Sequence, residues 1–181
     1  GAMWQPAAPL PEPIGHLSGI ALAGQIYAIG GQIRHDRGPQ DLAAVYVYDP
    51  ARDAWEARAS LPTPRSHAEP GTFELHGRIV VVGGRNNTTT SGPDEMRQVV
   101  MYDPASDLWI DLPELPYTRI APIAVPFDGQ IVVTNGGLSW DNPQRLSLGG
   151  LLAGSWETEH PPAPLAPGAA GGAIVGRRLF V

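Results

Sequence analysis

The polar side chains that could bind a ligand are concentrated in two stretches, each of which follows a pair of glycines. They are Arg34, His35 and Asp36 after the first pair, and Arg85, Asn86 and Asn87 after the second. Arginines gathered on one surface can pair with carboxylates through the two prongs of the guanidinium group. Both stretches are also long for connecting segments, and long loops in compact domains are often functional. We therefore interpret them as candidate binding loops.

The motifs typical of catalysis or cofactor binding are missing. No two of the five histidines have metal-ligand spacing on one strand or helix. There is no Gly-x-Ser-x-Gly, and the glycines before Arg85 lack the lysine and hydroxyl residue of a phosphate loop. With no cysteine, thiolate zinc sites, iron–sulfur clusters and thiol nucleophiles are excluded. We expect no metal, no cofactor and no catalytic residue.

Composition narrows the class of protein further. The chain has 181 residues and a formal net charge of −6, which argues against binding to nucleic acid or to an anionic membrane. No run approaches the ~20 apolar residues that span a bilayer. The 22 glycines and 20 prolines punctuate short apolar runs, so the chain cannot be mostly helical.

Internal repetition organises the elements that must position the candidate loops. The pattern Asp-Pro-Ala-x-Asp-x-Trp occurs at residues 49–55 and again 54 residues later at 103–109. Leu-Pro-x-x-Arg follows it both times, ending at Arg65 and Arg119. The glycine pairs fall at regular intervals, each after an apolar run, at Gly30–Gly31, Gly83–Gly84 and Gly136–Gly137.

Each repeat predicts four short strands. The first strand falls at 20–23, 71–75, 120–125 and, weakly, 171–175, and the second ends at the glycine pair. The third ends at Tyr48 or Tyr102, and the fourth carries Trp55, Trp109 or Trp156. No window has a clean helical period. A period near 50 residues with four antiparallel strands is typical of a propeller blade, which buries its two faces against neighbouring blades.

On these residues the sequence resembles the kelch-repeat family. The shared features are the glycine pair after the second strand, the tyrosine that ends the third strand, and the tryptophan seven positions later. The third repeat is weaker, because 146–148 replaces the Tyr-Asp-Pro strand and only Trp156 is kept. The resemblance implies an all-β propeller, usually of five to seven blades.

The resemblance also implies where a site would lie. In such a blade the loop between strands two and three and the connection from strand four to the next strand one emerge on the same face, which commonly binds the partner. That face would collect the two candidate loops together with Arg65, Ser66, His67, Arg119, Trp140 and Asp141. The alternative is that these are solvated turn residues.

Several repeated residues have a structural interpretation instead. Arg65 and Arg119 recur in fixed register, which favours a role in tying adjacent blades through a carboxylate or carbonyl. The aspartates at 49, 53, 103 and 107 have spacing typical of a turn in which the first side chain bonds the backbone, and not of a metal site. Trp55 and Trp109 are expected to be mostly buried between blades, whereas Trp140 falls outside the register.

Two functions remain open. The first is a binding module that presents the loops to a protein or peptide partner. The second is a carbohydrate-active enzyme on the same scaffold, resembling a sialic acid mutarotase, which needs only arginine, histidine and carboxylates. A copper enzyme similar to galactose oxidase is excluded, because its tyrosine–cysteine link needs a cysteine.

The domain organisation predicted is a tag remnant at 1–3 and propeller blades at 4–181, with three full repeats and part of a fourth. We interpret the sequence as a piece of a longer chain, or as one of two copies that complete each other. All 12 basic residues are arginine, which we interpret as a coding bias or a thermal habit in a sequence that looks bacterial.

Self-association is therefore predicted. Three blades do not close a ring, and exposed sheet edges and apolar blade faces favour association over an open monomer. A homodimer of three-bladed chains would form a six-bladed ring. Light scattering on the purified chain should report a species larger than a monomer, and a stable, well-folded monomer at micromolar concentration would refute the prediction.

Overall fold

The computed structural model describes residues 3–88, 95–136, 144–152, 154–158 and 171–180. Within them, the only helical elements are single 3₁₀ turns at Glu69–Gly71 and Leu148–Gly150. The remaining regular elements are β-strands, which confirms the all-β prediction. A search of the same residues for a helix of membrane-spanning length and apolarity finds none.

The first repeat forms a four-stranded antiparallel sheet, which we call blade 1. In spatial order, its strands are β1 (Ser18–Leu22), β2 (Gln25–Ile29), β5 (Val45–Asp49) and β6 (Ala54–Ala57). A small ribbon of β3 (Gln32–Ile33) and β4 (Gln40–Asp41) stands in the connection between β2 and β5.

The second and third repeats form blades 2 and 3 in the same antiparallel order. Blade 2 consists of β7 (Thr72–Leu75), β8 (Arg78–Val82), β9 (Val99–Asp103) and β10 (Leu108–Leu112). Blade 3 consists of β11 (Ile123–Phe127), β12 (Gln130–Thr134), β13 (Gln144–Ser147) and β14 (Glu157–Thr158). A final pair, β15 (Ala173–Val175) and β16 (Arg178–Phe180), follows β11 in space. First strands of successive blades lie side by side, as in a propeller.

The core lies between blades, and strand β8 shows why. Ile79 and Val81 belong to the cluster shared with blade 1, whereas Val80 and Val82 belong to the cluster shared with blade 3. All four are fully buried. Successive side chains in a strand point to opposite faces of the sheet, so this strand is covered by a neighbouring blade on each face. A strand buried on both faces must be apolar at every position, which explains the uninterrupted run that precedes the glycine pair.

The glycine pair turns the chain where two blades meet. Gly83 has a φ of 61°, and a Cβ at this position would lie 2.6 Å from the carbonyl oxygen of Arg119. The next residue, Gly84, donates its N–H to that same carbonyl at 2.8 Å. In blade 1, Gly31 donates to the carbonyl of Arg65 at 2.8 Å. The pair is therefore required both for positive φ and for close approach of two backbones.

In the third repeat this turn is displaced by one residue from the predicted Gly136–Gly137. The residues with positive φ that follow β12 are Asn135 at 58° and Gly136 at 78°. Asn135 thus occupies the position of the first glycine, since asparagine tolerates the left-handed region better than other non-glycine residues. Gly137 lies outside the described residues.

A second tie is made by the Asp-x-Trp part of the repeated motif. The Asp107 carboxylate accepts hydrogen bonds from the Tyr102 hydroxyl at 2.6 Å and from the Ala59 N–H at 2.9 Å. The Trp109 indole N–H donates to the Ala59 carbonyl at 2.8 Å. Ala59 follows blade 1, so both backbone groups of one residue in that connection are held by blade 2.

The same tie occurs at Trp55, and its indole hydrogen bond alone recurs at Trp156. Asp53 accepts from Tyr48 at 2.6 Å and from the Ala8 N–H at 2.7 Å, while Trp55 donates to the Ala8 carbonyl at 2.9 Å. Trp156 donates to the carbonyl of Pro113. Trp55 and Trp109 are half-buried, so they are less enclosed than predicted. Trp156 is also half-buried, and each of the three contacts a preceding segment of the chain.

The first aspartate of the motif is a turn residue, as predicted. Asp49 accepts from the N–H of Ala51 at 2.9 Å, and Asp103 accepts from the N–H of Ala105 at 3.0 Å.

The hydrogen bond from the Tyr102 hydroxyl, supported by the N–H of Ala59, holds the pKa of Asp107 below its ordinary value.

The close approach at Gly83 can be tested with a matched pair of variants. Gly77 also has positive φ, at 78°, but a Cβ there would meet nothing within 4 Å. We expect Gly77→Ala to lower the free energy of unfolding by about 1–2 kcal/mol, the cost of the left-handed conformation alone. Gly83→Ala should cost about 3 kcal/mol or more, because two backbones must also move apart. Urea unfolding measures both, and equal losses would contradict the close-approach argument.

The Asp107 carboxylate should make the stability of the fold depend on pH under acidic conditions. Because its folded pKa is lowered, its contribution is complete above the unfolded pKa of about 3.9 and is lost as the pH falls through the folded value. Between about pH 4 and pH 2 the melting temperature of the wild type should therefore fall more steeply than that of Asp107→Asn. Asp128 is exposed and shares the positive φ, so Asp128→Asn is the control and should keep the wild-type slope.

Candidate functional site

Loops of neighbouring segments are tied together along one edge of the sheets. Ser66, in the connection from β6 to β7, exchanges backbone hydrogen bonds of 2.9 and 2.8 Å with Arg85, in the loop after β8. Gly15 and Gln32 exchange a similar pair at 2.9 and 2.7 Å. The two kinds of loop therefore meet at one edge, as the strand order requires. We call this surface the loop face, defined by His16, Arg34, His35, Asp36, Ser66, His67, Arg85, Asn86 and Asn87.

The loops after strand two of blades 1 and 2 are also joined to each other. The N–H of Asn87 donates to the Asp41 carboxylate at 2.7 Å, and the N–H of Asp41 donates to the Asn87 side-chain oxygen at 3.0 Å. The Asn87 amide group also donates to the carbonyl of Pro39. Asn86 is buried, and its side-chain oxygen accepts from Thr88. Both asparagines thus shape the loops, and a direct contact of either one with a partner stays a prediction.

The other predicted residues of the first loop are exposed. Arg34, His35 and Asp36 line an open depression of about 340 Å³ together with Arg37. His35 Nδ1 lies 3.2 Å from the carboxylate of Asp36. This depression carries two guanidinium groups and one carboxylate, so it offers charge-assisted hydrogen bonds to a polar partner.

A column of three imidazole rings stands beside these residues. The ring of His16 stacks on that of His67 with centroids 4.2 Å apart and on that of His35 with centroids 5.2 Å apart. His16 Nδ1 lies 3.6 Å from the Glu69 carboxylate, and His67 Nδ1 lies 2.7 Å from the Ser66 hydroxyl. The three rings come from three segments distant in sequence.

His16 is the functional candidate that the sequence reasoning missed, although a signal was present. It precedes β1 as His67 precedes β7, and both residues have positive φ, at 50° and 53°. Equivalent positions of consecutive repeats lie side by side in a propeller, so aligning the connections would have paired the two rings.

The surroundings of His67 disfavour its charged form. Burial lowers its pKa most, and the positive charges of His16 and Arg85 lower it further, against the opposing effects of Glu69 and Asp41. No group of three or more histidine, aspartate or glutamate side chains in the described part of the chain could hold a metal ion.

Arg65 has the structural role that its repetition predicted. It is 1% exposed, and its guanidinium group donates to the Gly83 carbonyl at 3.1 Å and to the carbonyl and side-chain oxygens of Gln98. Its own carbonyl accepts from Gly31 of blade 1. Burial lowers the pKa of Arg65 to about 10, which leaves it charged at neutral pH.

Arg119 repeats this arrangement between blades 2 and 3. It is fully buried and donates to the carbonyl of Asn135, the residue at the first-glycine position of blade 3. The two arginines therefore tie blades through carbonyls and do not reach an exposed surface. The predicted site residues Trp140 and Asp141 lie outside the described residues.

The family follows from this fold and from its repeated ties. The model of the kelch motif matches residues 15–62 and 68–116, more than half of the chain. The chain belongs to the kelch-repeat family.

Kelch proteins and a solved structure are similar to this chain. Kelch-like protein terF of Aspergillus terreus is 26% identical over 98% of this chain and 40% of its own length. Mouse Kelch-like protein 35 is 29% identical over 74% of this chain and 21% of its own length. Among solved structures, YjhT superposes with a TM-score of 0.73 at 20% identity, covering 94% of this chain and 58% of that chain. This chain therefore spans less than two thirds of each, and the structural likeness establishes the propeller fold alone.

Proposed function

We propose that the loop face binds a protein or peptide partner. The observation that carries the proposal is the exposed set of Arg34, His35, Asp36 and Arg37 on one loop whose ends are held. Backbone hydrogen bonds between Gly15 and Gln32 hold one end, and hydrogen bonds between Asp41 and Asn87 hold the other. Loops held in place before binding lose less conformational freedom when they bind, which leaves more of the contact energy for affinity. Kelch repeats generally form protein-interaction modules, which supports the same conclusion.

The charges of the depression favour an acidic partner segment. Arg34 and Arg37 outnumber the single carboxylate of Asp36, and guanidinium groups recognise carboxylates through paired hydrogen bonds. The net charge of the whole chain is negative, so this positive patch is local. A segment that carries aspartate or glutamate is the ligand that this surface suits best.

An enzyme resembling a sialic acid mutarotase is the second candidate. It is favoured by the approach of His16 to the Glu69 carboxylate on the same face, since an imidazole beside a carboxylate is a common acid–base pair. Arg34 and Arg85 could supply the positive charge that an acidic sugar needs.

Self-association is a further proposal. It is supported by the exposed apolar side chains of the final strand pair, where Val175 is 65% and Phe180 is 52% exposed. On the outward face of blade 1, Ile26 is 44% exposed. A second copy that covers such edges would remove apolar surface from water.

Peptide selection tests the binding proposal. Peptides selected from a random library on the immobilised wild type should be acidic, and their affinity should fall about tenfold or more in the Arg34→Gln/Arg37→Gln variant. Arg52 is a matched control, because it is exposed and lies in the β5–β6 turn, at the opposite ends of the strands. Arg52→Gln should leave the affinity unchanged.

Two outcomes would redirect the assignment. Equal losses in the loop variant and in Arg52→Gln would show that binding is not located at the loop face. Faster interconversion of sialic acid anomers in the presence of the wild type, followed by NMR, would favour the enzyme.

A further inference from the structure

The three stacked histidines come from three different segments of the loop face. His16 precedes β1, His35 lies in the loop between β3 and β4, and His67 precedes β7. Backbone pairs flank the column on both sides, Gly15 with Gln32 and Ser66 with Arg85. Movement of the rings away from one another would therefore strain the hydrogen bonds that organise the loop face.

Imidazole is the side chain whose charge changes between about pH 5 and pH 8. Parallel neutral rings attract one another, but two protonated rings at 4.2 or 5.2 Å would place like charges face to face. We propose that His16, His35 and His67 form an acid-sensitive latch. Near neutral pH it holds the three segments of the loop face together, which we call the closed state, and protonation of the rings lets these segments separate into an open state.

Charged groups face the three rings from several segments. Glu69 faces His16, and Asp36 faces His35, so these two rings each have a carboxylate beside them. His67 faces the Ser66 hydroxyl. Burial and the charges of His16 and Arg85 lower its pKa, and the charges of Glu69 and Asp41 raise it.

Since burial and the positive neighbours depress the pKa of His67, the open loops bind a proton more readily than the closed ones. The stabilisation of the closed state is complete above the ordinary histidine value of about 6.5 and is lost as the pH falls below it.

Hydrogen exchange on the protein alone tests the latch. The amide protection factors of Gln32, Ser66 and Arg85 should fall between about pH 7.5 and pH 5.5 by up to about tenfold, the limit for one proton taken up over this range. The amides of Val81 and Val100 in the blade core should keep their protection. A protection that is independent of pH at the loop face would overturn the proposal.

A matched pair of variants assigns the effect to the column. His67 and His76 both have positive φ, at 53° and 49°, a conformation that asparagine tolerates, and His76 is exposed in the β7–β8 turn. His67→Asn should abolish the fall in protection, whereas His76→Asn should keep it. The same fall in both variants would remove the column from the explanation.

NMR titration of the wild type keeps the test independent of how the variants fold. The ring protons of His67 should titrate below the ordinary histidine value of about 6.5, because burial and the positive neighbours disfavour the charged ring. A titration of His67 at or above that value would contradict the latch. Only its consequence for partner binding rests on the proposed function, and the measurements above need no partner, so the two proposals can fail separately.

Discussion

Each blade of this protein has a central strand that must be covered on both faces. The four residues Ile79–Val82 are fully buried, two against blade 1 and two against blade 3. An isolated four-stranded sheet with such a strand would expose one apolar face to water whichever way it folded. Stacking of repeats is therefore a condition of stability, and the other features of the fold serve to fix how the blades stack.

Apolar packing alone would allow one blade to slide against the next, whereas the hydrogen bonds between blades fix their relative position. The Gly-Gly turn brings the backbone of one blade against the carbonyl of Arg65 or Arg119, and the guanidinium group of the same arginine bonds the next blade. On the opposite side of the repeat, the Asp-x-Trp element holds both backbone groups of Ala59. Two sets of directional hydrogen bonds thus set the position of each blade relative to the last, and an unmade bond of Arg65 or Arg119 would leave buried polar groups without partners.

The loop face is a consequence of these ties. The connection that carries Arg65 also carries Ser66 and His67, so anchoring the arginine places the neighbouring residues against the loops after β2 and β8. Arg34 and His35, which we propose as binding residues, then stand on a segment whose ends are fixed. In this way the interactions that stabilise the propeller also limit the freedom of the surface where we place partner binding.

The sequence by itself determined the repeat, the strands and the structural residues. Uninterrupted apolar runs and the recurring glycines, prolines and tryptophans are local patterns, and they located β8, the Asp49 turn and the role of Arg65. It did not determine the shift to Asn135, because only the geometry of the turn distinguishes which residue takes positive φ. Nor did it bring together His16, His35 and His67, or join Asp41 to Asn87. Those contacts link residues of different segments, and their distances depend on how the blades stack and how the loops cross, which only the tertiary structure decides.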